Sequence, residues 1–192
     1  MVINAFEAAF NRRDGRALRH RVEHAGDWFF SPERRRRLRE LGLIAVPNIN
    51  FLYTFGDGVR FTLGPKRSTV DTFPLKSMLE EGMLLVRGSD GPNLEPVAPL
   101  RDIGTAVHRT TEHGYKIDPQ EAISVMDAIR MFTINAAYTE FEEEIKGSIE
   151  PGKLADLTIL DGDPFCVPPV KIKEINVDMT IIDGEIRYTR NN

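Results

Sequence analysis

The spacing of apolar side chains along the first two thirds of the chain switches repeatedly between helical and extended, and the switches lay out the elements. Residues 3 to 11 (INAFEAAFN) carry apolar groups at helical spacing and run into Asp14-Gly15, a pair that ends helices. Leu18, His20, Val22 and His24 then alternate with Arg19, Arg21 and Glu23, the period-two pattern of a strand, with a short helix as the competing reading. Ser31-Pro32-Glu33 supplies a capping hydroxyl followed by proline at the first helical position, and a helix is expected through Leu38 and Leu41 until Gly42. Residues 43 to 47 (LIAVP) read as a short apolar strand. Residues 48 to 73, with Gly56, Gly58, Gly64 and Pro65, read as a long loop of the kind that often carries function.

The alternation resumes after that loop. A helix is predicted from Pro74 to Glu81 and closed by Gly82, a buried strand over 83 to 87 (MLLVR), and a helix from Pro99 to His113 closed by Gly114. Strands that each lead through a loop into a helix argue for a parallel sheet of about three βα units, too few to close a barrel. Pro119 to Ala137 has the 3.6-residue period of one long packed helix. From about residue 147 the character changes: glycines and prolines punctuate short strands over 155 to 160 and 178 to 182, and Asp183-Gly184 is a two-residue hairpin signal into 185 to 188. The expected organisation is an α/β unit over residues 1–146 and a small β portion over 147–192.

Composition narrows the function classes. Over 192 residues, hydrophobic residues make up 41% and charged residues 28%, a balance that suits a soluble globular chain. No apolar run approaches the roughly 18 to 20 residues of a membrane span. A net charge of -4 argues against a partner held through nucleic-acid phosphates. The one basic run, Arg34 to Arg37, follows the helix-start signal directly and reads as a solvated helix face rather than an anion patch. A single cysteine, Cys166, excludes an internal disulfide and a thiolate-rich zinc site, and with no export signal at the amino terminus the expected compartment is the cytoplasm.

Candidate chemistry gathers near the strand ends. His20-Arg21-Val22-Glu23-His24 matches the H-x-x-E-H zinc-peptidase pattern letter for letter. On a helix the two histidines would lie about 6 Å apart and could share a metal. On a strand they share a face but sit roughly 13 Å apart at about 3.3 Å per residue, too far for one ion. The alternation around them favours the strand. Asp90, in Ser89-Asp90-Gly91-Pro92, follows the apolar run 83 to 87 and so falls at a strand's carboxyl end, where α/β active sites collect, although Asp before Gly-Pro is equally what a turn needs. His24 also stands at a strand end, before Ala25-Gly26-Asp27. An imidazole and a carboxylate, each at the carboxyl edge of a different strand, can converge on one divalent metal, but a catalytic zinc usually has three protein ligands. His108 and His113 fall on or just past a helix and read as structural or exposed, and Trp28, Phe51, Tyr53 and Phe55 as packing residues or pocket lining. There is no glycine-rich phosphate loop and no Gly-x-Ser-x-Gly elbow.

Several runs together resemble one family. Arg19 to Ala25, Gly64-Pro65-Lys66-Arg67 leading to Pro74-Leu75, Gly88-Ser89-Asp90-Gly91-Pro92 and, above all, Gly147-Ser148-Ile149-Glu150-Pro151-Gly152-Lys153-Leu154-Ala155-Asp156-Leu157 are similar to the amidohydrolase superfamily, in its amidohydrolase-3 group, from Ile3 to about Tyr188. The resemblance implies the carboxy-terminal part of a (β/α)₈ barrel followed by a fragment of a small β-sandwich. It implies that His24 is the metal-binding histidine after the sixth barrel strand and Asp90 the aspartate after the eighth, a metal ligand that also serves as general base and then acid. The cofactor it implies is a divalent metal, zinc first. The activity it implies is hydrolysis of non-peptide C–N bonds in small amide-type substrates. Substrate contacts are expected after strand seven, where Asn48-Ile49 stands in place of a frequent Gln-Pro, and Asn48 and Asn50 are the substrate-binding candidates there. Lys76 replaces a frequent arginine, whose fork it cannot reproduce.

The family's remaining ligands, including a His-x-His pair on its first strand, find no match in this chain and are expected upstream of Met1. The chain alone is therefore expected to be inactive, with a complementing amino-terminal fragment or a second copy as the expected partner. A non-catalytic assembly or binding module that pairs with another chain is the competing class, and an independent zinc peptidase through His20 and His24 is a third.

Overall fold

The computed structural model describes residues 1–91 and 97–191, so Pro92 of the Gly88-to-Pro92 run lies outside the described residues. Helix α1 (Val2–Phe10) is followed by a 3₁₀ turn (Arg16–Leu18) and strand β1 (Arg21–Glu23), shorter than the alternation from residue 18 predicts. Helix α2 (Pro32–Glu40) begins as expected: Ser31 Oγ accepts the backbone N–H of Arg34 at 3.5 Å, with Pro32 in the first turn. Strand β2 (Ile44–Val46) pairs in parallel with β1, Arg21 opposite Ile44 and Glu23 opposite Val46. The predicted strand over 83 to 87 contracts to a single parallel bridge between Leu85 and Ala45, extended by Gly88 N–H donating to Pro47 O at 3.0 Å. Three chain segments therefore run side by side in one direction, with the segment carrying β2 in the middle.

The largest correction concerns residues 48 to 73. Most of them form helix α3 (Ile49–Arg67) rather than a loop, and residues 68 to 73 are turns. Ile49 and Leu52 supply its fully buried face, and Gly56, read as a breaker, sits where a Cβ would be driven into Thr111 and Ile117. Packing there requires the bare Cα, and the helix accepts the propensity cost of glycine, about 1 kcal/mol. The real interruption comes at Gly64, whose φ of 79° breaks the helical run just before Pro65.

Helix α4 (Leu75–Glu80) and helix α5 (Pro99–His108) follow, the latter five residues shorter than predicted. Its end is set by Arg109 in a left-handed conformation (φ 59°) with its side chain wholly buried. The guanidinium lies in a cage of carbonyls: Nε donates to Ile117 O at 3.1 Å, Nη1 to Phe73 O at 3.0 Å and Nη2 to Thr72 O at 2.9 Å. Burial pulls its pKa down to about 10 while Asp118 and Glu121 pull it back, so it stays charged at neutral pH. The long helix predicted over 119 to 137 is a 3₁₀ turn (Pro119–Glu121), then α6 (Val125–Phe132) and α7 (Ile134–Thr139), separated by a non-helical Thr133. Ser124 caps α6 by accepting Asp127 N–H at 3.0 Å, a stronger start signal than the upstream proline.

Strands β3 (Leu157–Leu160), β4 (Val177–Ile182) and β5 (Glu185–Thr189) form an antiparallel sheet in that order. Asp183 and Gly184 both have positive φ, 51° and 76°, as a tight hairpin turn of the expected kind requires. The 3₁₀ segment Pro169–Glu174 packs against α5, with Ile172 fully buried in the main apolar cluster.

The arginine run is not a uniformly solvated face. Arg35 is buried, donating to Glu81 at 2.9 Å and Phe30 O at 3.0 Å, while Arg37 pairs with Glu7 of α1 and Arg36 with Glu40. Among the described residues no helix is long and apolar enough to cross a membrane.

The Arg109 cage yields a stability prediction. Arg109→Met keeps most of the side-chain volume and removes the donors to three buried carbonyls, so unfolding free energy should fall by at least about 3 kcal/mol. Urea denaturation followed by circular dichroism measures it; a loss under about 1 kcal/mol would mean the cage contributes little.

Candidate metal centre at the carboxyl ends of the parallel strands

Strand β1 leaves the sheet at His24, whose backbone N–H donates to Val46 O at 3.0 Å before the chain turns through a left-handed φ of 62°. That turn projects the imidazole beyond the strand's carboxyl end. The side chain is 50% exposed and its ring lies 5.6 Å, centroid to centroid, from Phe51 at the start of α3. Nδ1 is held from behind: Asp27 Oδ2 and Asn48 Nδ2 each lie 3.0 Å from it. Neither contact involves Nε2.

Asp27 is nearly enclosed. Its Oδ1 accepts the backbone N–H of Asn48 at 2.7 Å, and its main-chain oxygen accepts Phe73 N–H at 2.6 Å. Burial pushes its pKa up to about 6; the bonds from Asn48 and His24 hold it down, and the negative charge of Asp90 pushes it further up.

Asp90 follows the third parallel segment. It is exposed, with a φ of 49°, and is carried by a turn pinned at two points. Asn50 Nδ2 donates to Ser89 O at 2.9 Å, and Ser89 Oγ accepts Gly91 N–H at 3.1 Å. Asn50 Oδ1 is buried without a hydrogen-bond partner. Gly88 has a specific reason to be glycine, since a Cβ there would fall on Asn48 Oδ1 and press on Val46.

Of the residues singled out in the sequence, His24 contacts Asn48, and Asn50 contacts Ser89, the neighbour of Asp90, along the same edge. Asn48 and Asn50 are buried, their amides turned to His24 and to the Ser89 carbonyl. His20 does not join them. It precedes β1 while His24 follows it, and its ring packs between Phe6 and Phe10 of α1 at 5.4 and 5.9 Å, so the apparent peptidase pair brackets a strand. His108 Nδ1 accepts the backbone N–H of Thr110 at 2.9 Å and is pushed toward its neutral form by burial and Lys173, whereas the exposed His113 pairs with Asp57. Asp27 is the residue that reading the sequence missed. Its signal was a carboxylate three positions after a strand-end histidine.

Among the described residues no group of three or more His, Cys, Asp or Glu side chains could hold a metal ion. The donors at this edge are one imidazole and one exposed carboxylate, groups of the kind that ligate divalent metals, and they number fewer than a catalytic metal usually takes.

An imidazole and a carboxylate placed at the carboxyl ends of the two outer segments of a parallel α/β layer stand where α/β proteins collect functional groups. The chain belongs to the amidohydrolase family, which it matches over residues 1–188. It is 33% identical over 190 residues to the N-substituted formamide deformylase of Arthrobacter pascens, covering 99% of this chain and 34% of that protein. It is 36% identical over 121 residues to the putative amidohydrolase YtcJ of Bacillus subtilis, covering 62% of this chain and 23% of that one. An uncharacterized metal-dependent hydrolase from Pyrococcus furiosus superposes with a TM-score of 0.64 at 26% identity, over 85% of this chain and 31% of the other. The chain spans about a third of the length of the deformylase.

Gly88 tests the geometry of this edge. Gly88→Ala should displace the Asn48 amide from His24, shifting the His24 ring resonances in NMR spectra and lowering stability by about 1–3 kcal/mol. Unchanged His24 resonances would show that Asn48 and His24 are not in contact.

Proposed function

We propose that this chain forms the carboxy-terminal part of a metal-dependent amidohydrolase that hydrolyses non-peptide C–N bonds of amide-type substrates, N-substituted formamides being the class nearest to hand. The placement of His24 and Asp90 just after the first and third of three parallel segments carries this reading, and the family membership supports it. In this proposal the parallel segments and their helices, residues 1–146, belong to a (β/α)₈ barrel, and the antiparallel sheet within 147–192 belongs to a β-sandwich.

A divalent metal, zinc by the donor chemistry, supplies Lewis acidity and a more acidic water when bound. His24 would hold it through Nε2 and Asp90 through its carboxylate. Asp90 takes the proton of the attacking water and returns it to the departing nitrogen, general base then general acid. Asn48 and Asn50 are the proposed substrate contacts; both are buried, and Asn50 Oδ1 is the acceptor left over once Nδ2 has bonded Ser89. The other ligands come from a complementing amino-terminal polypeptide, with a second copy of the chain as a further candidate partner, in a reducing, cytoplasmic setting consistent with the unpaired Cys166.

One observation favours a second reading. Among the described residues no strand pairs with the outer edge of β1, so that edge offers free backbone donors and acceptors to another chain, as an assembly module would.

Zinc titration of the isolated chain tests the metal reading. Weak, substoichiometric binding is expected, falling at least about tenfold in His24→Ala and in Asp90→Asn with circular dichroism unchanged. Equal zinc content in both variants and the parent after dialysis would remove the assignment. Tight stoichiometric zinc would show that the chain's own donors suffice.

A further inference from the structure

Asp27 sits behind His24 in a position that none of the family arguments assigns. We propose that Asp27 is a positioning residue that sets the tautomer of His24: its carboxylate accepts a hydrogen bond from Nδ1–H and keeps the proton on that nitrogen, so that the Nε2 lone pair faces the open side of the strand edge. This inference rests on the reading of His24 as a metal ligand.

Two groups compete for one nitrogen. Asp27 Oδ2 and Asn48 Nδ2 are both 3.0 Å from Nδ1, yet they ask opposite things of it. A bond to the carboxylate requires a proton on Nδ1 and leaves Nε2 bare. A bond from the amide N–H requires a lone pair on Nδ1 and puts the proton on Nε2, where it blocks coordination.

Two considerations decide the contest. A hydrogen bond to an ionised carboxylate is roughly twice as strong as one between neutral groups. Asp27 is also fixed on its other side, because Oδ1 is engaged by the backbone N–H of Asn48 at 2.7 Å; this aims Oδ2 at the ring, and the His24 ring is the hydrogen-bond partner of Oδ2. The Asn48 amide is the adaptable party, since rotating it by half a turn exchanges its donor and acceptor ends. The same Oδ1 bond ties the turn after β1 to the end of β2, so one side chain sets both the distance between two strand ends and the proton on the histidine between them.

Asp27→Asn separates these roles. The new amide oxygen can still accept from Asn48 N–H, preserving the tie, while its NH₂ can only donate to Nδ1 and so drives the proton to Nε2. The readout is the nitrogen spectrum of the imidazoles in the ¹⁵N-labelled 192-residue chain at about pH 8, where an ordinary imidazole is neutral. The His24 signals are assigned by their loss in His24→Ala. The parent chain is expected to show His24 with Nδ1 protonated and Nε2 bare, and Asp27→Asn to show the reverse. Titration with zinc ion should then show affinity at least about tenfold weaker in Asp27→Asn than in the parent.

A parent chain with Nε2 protonated, or a variant that keeps its proton on Nδ1, overturns the proposal. A tautomer that switches while zinc affinity stays equal upholds the positioning by Asp27 and overturns instead the reading of His24 as a ligand. Should Asp27→Asn fail to fold, Asn48→Ala supplies the second arm. With the competing donor removed, the Nδ1 proton should remain, and its migration to Nε2 overturns the proposal.

Discussion

The backbone bonds from His24 to Val46 and from Gly88 to Pro47 hold three chain segments in parallel with their carboxyl ends level, and the candidate site exists only because those ends are level. A slip of one residue would turn each strand-end side chain to the opposite face of the sheet. The ladder that prevents it is short: β1 and β2 are three residues each, and the third segment touches β2 through one bridge. Register is therefore enforced mainly by what lies around the ladder. Ala45 and Leu85 are wholly buried, α3 starts directly after β2 with Ile49 and Leu52 facing the core, and Asp27 and Asn50 tie each outer turn to the central segment.

Buried charge follows a consistent rule in this molecule. Arg35 is shared between a carboxylate and a carbonyl, Arg87 meets Asp102 of α5 with Arg101 alongside, and Arg109 uses only carbonyls. Each joins segments distant in sequence. Asp102, its carboxyl pushed up by burial and held back by its two arginines, anchors the third parallel segment to α5. Asp27 stands apart from these. Burial pushes its carboxyl up to about 6, and among the described residues it is the Asn48 N–H and His24, not an arginine, that hold it down.

Periodicity located most helices and the hairpin because those elements are specified locally, by caps such as Ser31 and turn pairs such as Asp183-Gly184. It failed where tertiary contact outweighed local preference. Gly56 marks a close approach of α3 to Thr111 and Ile117, and no window around residue 56 contains either partner. Arg109 ends α5 early because its side chain is claimed by carbonyls at 72, 73 and 117. The strand end carrying His24 was legible from period-two alternation followed by turn residues, and the place of Asp90 from the apolar run over 83 to 87, which the structure reduces to a single bridge. Asp27 was not. Its importance depends on Asn48 arriving from another strand, a distance that sequence spacing does not encode.

Phe73 connects two of these features. Its N–H is bound to the Asp27 carbonyl and its own carbonyl to Arg109, so a single peptide neighbourhood stands between the turn behind His24 and the guanidinium cage at the end of α5. Fluctuations of the two regions cannot be independent, because the chain at Phe73 cannot swing away from one without straining its bond to the other. In amide exchange they would open as one cooperative unit, with protection set by the cage rather than by the exposed edge. The turn that presents the histidine thereby takes its rigidity from a fully buried arginine that never approaches the strand-end residues.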